Sequence, residues 1–171
     1  EVQPLLEAQF AKWTATGAKG VKSFTAPPAR PTSPRILLIN RPGAPQSSIL
    51  GGQLLPLNPK GDIVPFDTAN DVLGGTFLSR LNMDLRETKG WSYGVSGDAA
   101  IMLNAVPYVV SAPVQADRTA DSIAEMNKQI SDFLTTNGVN QEELSRTIAN
   151  KVNGLPGDFE TSGAVLSGMM N

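Results

Sequence analysis

The sequence predicts an α+β domain in which a mostly antiparallel sheet carries its helices on one face. Three observations lead there. Apolar residues recur with helical period near both ends of the chain and at its centre. Short extended runs, bounded by Pro and Gly, lie between those segments. The elements follow the order helix, two strands, two helices, two strands, then several helices, without an internal repeat. At 171 residues, 40% hydrophobic and 18% charged, the chain supports one core, and a single domain over 1–171 is expected.

Taken in order, residues 2–13 read as a helix. Leu5, Leu6, Phe10 and Trp13 fall at helical spacing, and Pro4 is tolerated in the first turn. Residues 14–34 form a linker broken by four prolines. The apolar run 35–40 (RILLIN) predicts a buried strand, 41–45 a turn, and 46–55 a second extended segment in which Gly51-Gly52 marks a bulge or a close backbone approach. A loop over 56–65 leads into a short helix over 66–73, with Asp67 or Thr68 near its cap.

The least generic stretch is 73–95, LGGTFLSRLNMDLRETKGWSYGV. Gly74-Gly75 is expected to open an amphipathic helix whose apolar face holds Phe77, Leu78, Leu81 and Leu85. Lys89 in the last turn and Gly90 after it predict the helix end. Trp91, Tyr93 and Val95 then alternate with small residues, the period of a strand. Strands over 91–103 and 108–114 predict an antiparallel hairpin. A helix is expected over 117–134, with Ile123, Met126, Ile130, Phe133 and Leu134 inward and Asn137-Gly138 at its end. Asn140 and Glu143 form a capping box for the next helix, whose apolar face is Leu144, Ile148, Val152 and Leu155. After the break at 155–158, residues 159–171 read as helical.

Composition excludes several kinds of chemistry. The chain has no Cys and no His, so it lacks the usual zinc ligands and any Ser-His or Cys-His dyad. Its 14 cations and 16 anions leave a net charge of -2, and no basic stripe points to a nucleic-acid partner. No apolar run approaches the roughly 20 residues of a membrane span. GxxxxGK[ST] and GxGxxG phosphate loops are absent. Asp67 and Asp71, four apart on a helix, supply too few ligands for a hard cation, and a solvated face is the simpler reading. Ser92, Ser96 and Ser111 have no base to activate them. Gly74-Gly75 before a helix fits either anion binding or plain turn chemistry.

The remaining candidate pair is Arg86 and Tyr93, seven apart across a helix-turn-strand corner. A permanently charged fork and a phenolic donor together can hold a carbonyl oxygen and steady the negative charge that develops on it. The plain alternative pairs Arg86 with Glu87 or Asp84 on the surface and packs Tyr93 against the core.

These residues carry a resemblance. Arg41-Pro42-Gly43-Ala44-Pro45-Gln46-Ser47, Leu73-Gly74-Gly75, Ser79-Arg80-Leu81-Asn82 and Leu85-Arg86-Glu87-Thr88-Lys89-Gly90-Trp91-Ser92-Tyr93 resemble, in order and interval, the C-terminal half-domain of the insulinase/pitrilysin-type zinc peptidases. These are the inverzincins, whose metal motif is His-x-x-Glu-His. The likeness extends to Phe10-Ala11-Lys12-Trp13 and to Asn140-Gln141-Glu142-Glu143-Leu144, and so spans nearly the whole chain.

The resemblance implies half of a metallopeptidase clamshell, a chamber closed by two similar α+β domains. It implies that Arg86 and Tyr93 bind the scissile carbonyl and stabilise the tetrahedral intermediate. It makes Gly74, Gly75, Ser79, Arg80 and Asn82 candidates for substrate binding. Without His the chain departs from the family's metal motif, so no cofactor is expected in this chain, and zinc is expected on a partner domain or subunit. The chain alone is then inactive. An unfolded peptide substrate laid along a sheet edge, a dimeric assembly and a periplasmic location are further implications. The resemblance also implies a fragment truncated at both ends, with a strand before Glu1 and a helix and strand after Asn171. The alternative is a non-catalytic scaffold domain of the same fold, in which Arg86 and Tyr93 matter only for stability.

Overall fold

Strand β3 (Val106–Gln115) is the middle of a three-stranded antiparallel sheet, between β1 (Gln46–Leu55) and β2 (Ser96–Ala99). This arrangement is seen in a computed structural model that describes residues 2–21, 31–61 and 63–170. β1 pairs with β3 from Gln46 opposite Gln115 to Leu55 opposite Val106. β2 pairs on the other side, from Ser96 opposite Ser111 to Ala99 opposite Tyr108. Val106, Val110, Ala112 and Val114 are all buried, which is the period of one face of β3.

That face is covered by helices, so the α+β class read from the sequence holds. The core joins Val110, Ala112 and Val114 to Leu73, Leu81, Leu85, Val95 and Met126, with Ile49, Tyr108, Ile130 and Phe133 packed around it. Leu73 comes from the end of α2 (Val64–Asn70), which runs on as a π-helical turn over Asp71–Gly75. Leu81 and Leu85 come from α3 (Arg80–Asn82) and its π-helical continuation Met83–Thr88. Met126 comes from α4 (Thr119–Thr135). Helix α5 (Gln141–Gly154) starts at the expected capping box, with Glu143 N–H donating to the Asn140 side chain and Asn140 N–H to Glu143 Oε2. Helices α1 (Gln3–Phe10) and α6 (Ser162–Met170) hold no buried residue.

Several expectations are corrected. The run 35–40 is not a strand: Ile36, Leu37, Leu38 and Ile39 are 75–90% exposed. A strand needs a ladder partner for its backbone, and none is found for this run among the described residues. Gly74-Gly75 closes a helix instead of opening one, because Pro65 is accepted in the first turn of α2 and the helix begins before it. The next helix begins after Ser79, which leaves Phe77 and Leu78 in a half-exposed turn while Leu81 and Leu85 are fully buried. The expected strand 91–103 shrinks to β2 plus one bridge between Ser92 and Val114. Leu134 is exposed on α4, and Ile148, Val152 and Leu155 on the expected apolar face of α5 are half open. Within the expected linker, 22–30 lies outside the described residues, as does Asn171 of the last helix, and the remainder holds no helix or strand.

Candidate functional site

The corner between α3 and β2 is built by backbone closure around Gly90. The π-helical turn ends with Lys89 N–H on Asp84 C=O and Trp91 N–H on Leu85 C=O, each 2.9 Å. Gly90 reverses the chain at φ +67, where a side chain would be strained. The segment after it is pinned to the end of β3. Gln115 N–H donates to Trp91 C=O at 2.9 Å, and Ser92 Oγ donates to Pro113 C=O at 2.6 Å. The Ser92 hydroxyl also engages Gly94, whose N–H lies 3.1 Å away, and this local bonding is why a regular strand does not start until Ser96.

The pinning faces Ser92 and Val95 inward and leaves Tyr93 in solvent, 84% exposed. Tyr93 is therefore not the core aromatic that the plain alternative had. Arg86 projects from the π-helical turn with its guanidinium carbon 4.6 Å from the centre of the Phe77 ring and its Nε 3.1 Å from Glu87 Oε1. The Arg86–Glu87 ion pair of the plain alternative is thus present, on a half-exposed surface.

Between α3, the turn at Gly74–Phe77 and the segment Gly94–Ser96 lies an open cleft of about 460 Å³. Of the sequence candidates, Gly74, Gly75, Asn82 and Arg86 line it. Gly74 is there because the backbone of β2 passes behind it: a Cβ would sit 2.9 Å from Gly97 N. Asn82 is 3% exposed, and its amide joins two walls of the cleft. Its Nδ2 donates to Phe77 C=O at 2.7 Å, and its Oδ1 accepts from Val95 N–H at 2.9 Å. Tyr93 is not among the residues that line the cleft; it precedes Gly94, which does.

Ser79 and Arg80 point elsewhere. Ser79 Oγ is buried without a hydrogen-bond partner. Arg80 grips Glu143 through Nε and Nη2, each 2.7 Å from a carboxylate oxygen, and caps the α4–α5 loop by donating to the carbonyls of Asn137 and Gly138. These bonds hold the Arg80 pKa above and the Glu143 pKa below their ordinary values. Phe77 has the spacing of a helical apolar face, and only the turn before α3 brings its ring to Arg86 and the cleft.

Besides the absence of His and Cys, the described residues hold no group of three or more Asp or Glu that could bind a metal. Asp67 and Asp71 are bridged by one cation: Lys151 Nζ from α5 lies 2.7 Å from a carboxylate oxygen of each.

The chain is similar to a known family over most of its length. The family model described as the peptidase M16 inactive domain matches residues 1–151. No curated protein matches. Among solved structures, a peptidase M16 inactive domain from Pseudomonas fluorescens is 26% identical, with a TM-score of 0.62, over 72% of this chain and 29% of that one. A protease from Helicobacter pylori is 17% identical, with a TM-score of 0.80, over 97% of this chain and 40% of that one. A conserved protein from Enterococcus faecalis V583 shares the fold at 16% identity and a TM-score of 0.60. The chain thus spans 29–40% of the length of these three structures. With the family model matched from residue 1 to residue 151 of 171, this chain belongs to the peptidase M16 family, as its inactive C-terminal domain.

Proposed function

We propose that this domain supplies the carbonyl-binding half of a zinc peptidase whose metal lies on another domain or subunit. An accessory or non-catalytic role follows from family membership; the finer reading gives the Arg86 and Tyr93 side chains to the substrate. The observation that carries it is the pairing of a cation on the cleft wall with an exposed phenol on the adjoining segment. Arg86 brings a guanidinium that meets Glu87 through Nε at 3.1 Å. Tyr93 brings a donor on an outward stem. Two donors converging on a scissile carbonyl oxygen stabilise the charge that grows there as the carbonyl is attacked, and they act most strongly once a second domain excludes water. The outer edge of β2 carries no strand among the described residues, which suits an extended peptide pairing by backbone hydrogen bonds.

The scaffold reading has its own support, since Arg86 already has partners in Glu87 and Phe77. Turnover separates the two. The full-length protein, together with any His-x-x-Glu-His partner and zinc, is assayed on an unstructured fluorogenic peptide with Arg86→Ala and Tyr93→Phe. A loss of about 10²-fold in kcat in each is expected. Turnover indifferent to both substitutions makes the domain a scaffold.

A further inference from the structure

We infer that Asn82 is the positioning residue that sets Arg86 against Tyr93. The inference rests on the arginine–tyrosine reading above and adds the group through which that corner is held. Asn82 lies one helical turn before Arg86 and is 3% exposed. Its amide makes one bond to each side of the corner. Nδ2–H donates to Phe77 C=O at 2.7 Å, and the Phe77 ring is the platform under the Arg86 guanidinium at 4.6 Å. Oδ1 accepts from Val95 N–H at 2.9 Å, two residues after Tyr93. One partner is a carbonyl and the other an N–H, so the orientation of the amide is dictated.

Asparagine is required by this geometry. It carries a donor and an acceptor on a short stem, whereas Asp offers only acceptors and Leu neither. In Asn82→Asp the oxygen toward Val95 remains, but the other oxygen faces the Phe77 carbonyl. The Phe77 turn is released, and Arg86 loses its platform while Tyr93 stays pinned through Ser92. Asn82 acts on the reaction through Arg86, without touching the substrate carbonyl. Displacing a reacting group by about 1 Å can cost on the order of 10²-fold in rate.

The test is a double-substitution cycle in the full-length, zinc-loaded assembly, with Asn82→Asp, Arg86→Ala, the pair together, and Tyr93→Phe. Asn82→Asp should lower kcat by about 10-fold or more with a smaller change in KM, and should have almost no effect once Arg86 is already Ala. A second variant, Phe77→Leu, removes the ring from a half-exposed position and leaves the backbone carbonyl on Asn82. It should show the same dependence on Arg86; if it does not, the platform through which Asn82 acts is absent and the positioning role is overturned even where Asn82→Asp fails to fold. An unchanged kcat in these variants, or an equal loss with and without Arg86, overturns the positioning role while leaving the corner intact. Unchanged turnover in Arg86→Ala and Tyr93→Phe overturns the corner itself, and the positioning role with it.

Discussion

Arg80 and Glu143, 63 residues apart, meet in a two-pronged ion pair with both contacts at 2.7 Å. The same carboxylate closes the capping box of α5, and the same guanidinium lies over the Phe133 ring. One pair thus fastens α3, the end of α4 and the start of α5. Glu143→Gln keeps an acceptor for the cap and loses the charge, and should cost about 1–2 kcal/mol. Glu143→Ala loses both and should cost about 2–3 kcal/mol, read from urea unfolding midpoints at neutral pH.

The pH dependence of that pair has a definite sign. The Arg80 hydrogen bond is the main cause that lowers the Glu143 pKa, and burial opposes it. A carboxyl depressed in the folded state contributes stability that is complete above its unfolded pKa of about 4.5 and is lost as pH falls through the folded value. The stability gap between the native chain and Glu143→Gln should therefore be widest at neutral pH and close in acid. A gap that is constant with pH would refute the linkage.

Asp84 has the opposite sign. Its Oδ2 is buried without a hydrogen-bond partner. Burial, then the charge of Glu125, raises its pKa, against Lys89, Lys128 and Gln129. Stability from such a group is present below the unfolded pKa and lost as pH rises through the folded one. Asp84→Asn should raise Tm at pH 7 by about 1–3 °C, with the advantage shrinking toward pH 3.

Gly74 stands where α2 passes β2. A Cβ there meets Gly97 N at 2.9 Å and Gly97 Cα at 3.1 Å, backbone atoms that cannot swing aside. Gly74→Ala should cost about 1–3 kcal/mol through displacement of the helix end. Because Gly74 also lines the cleft, substrate affinity should fall with it, measured as KM in the assembled enzyme.

Tyr93→Phe should leave folding unchanged within about 0.5 kcal/mol, because the ring is 84% exposed. A large loss of stability in thermal melts would mean that Tyr93 is structural and would favour the scaffold reading.

By itself the sequence determined the features whose causes are local. The spans of α4 and α5 follow from apolar period, the start of α5 from the Asn140–Glu143 capping box, and the chain reversal from Gly90 after Lys89. The absence of His and Cys and the motif that marks the family were equally legible. These signals act within a few residues, or are simply residue identities.

Only the tertiary structure decided what depends on a distant partner. The run 35–40 has strand composition but finds no ladder among the described residues, so composition could not make it a strand. β2 is cut to four residues because Ser92 and Val95 give their hydrogen bonds to Pro113 and Asn82. Arg80 turns away from the cleft because Glu143 waits on another helix, while Asn82, one face over, becomes the tie between Phe77 and Val95. In each case a local preference yields to whether a partner is in reach once the chain is folded, and packing settles that.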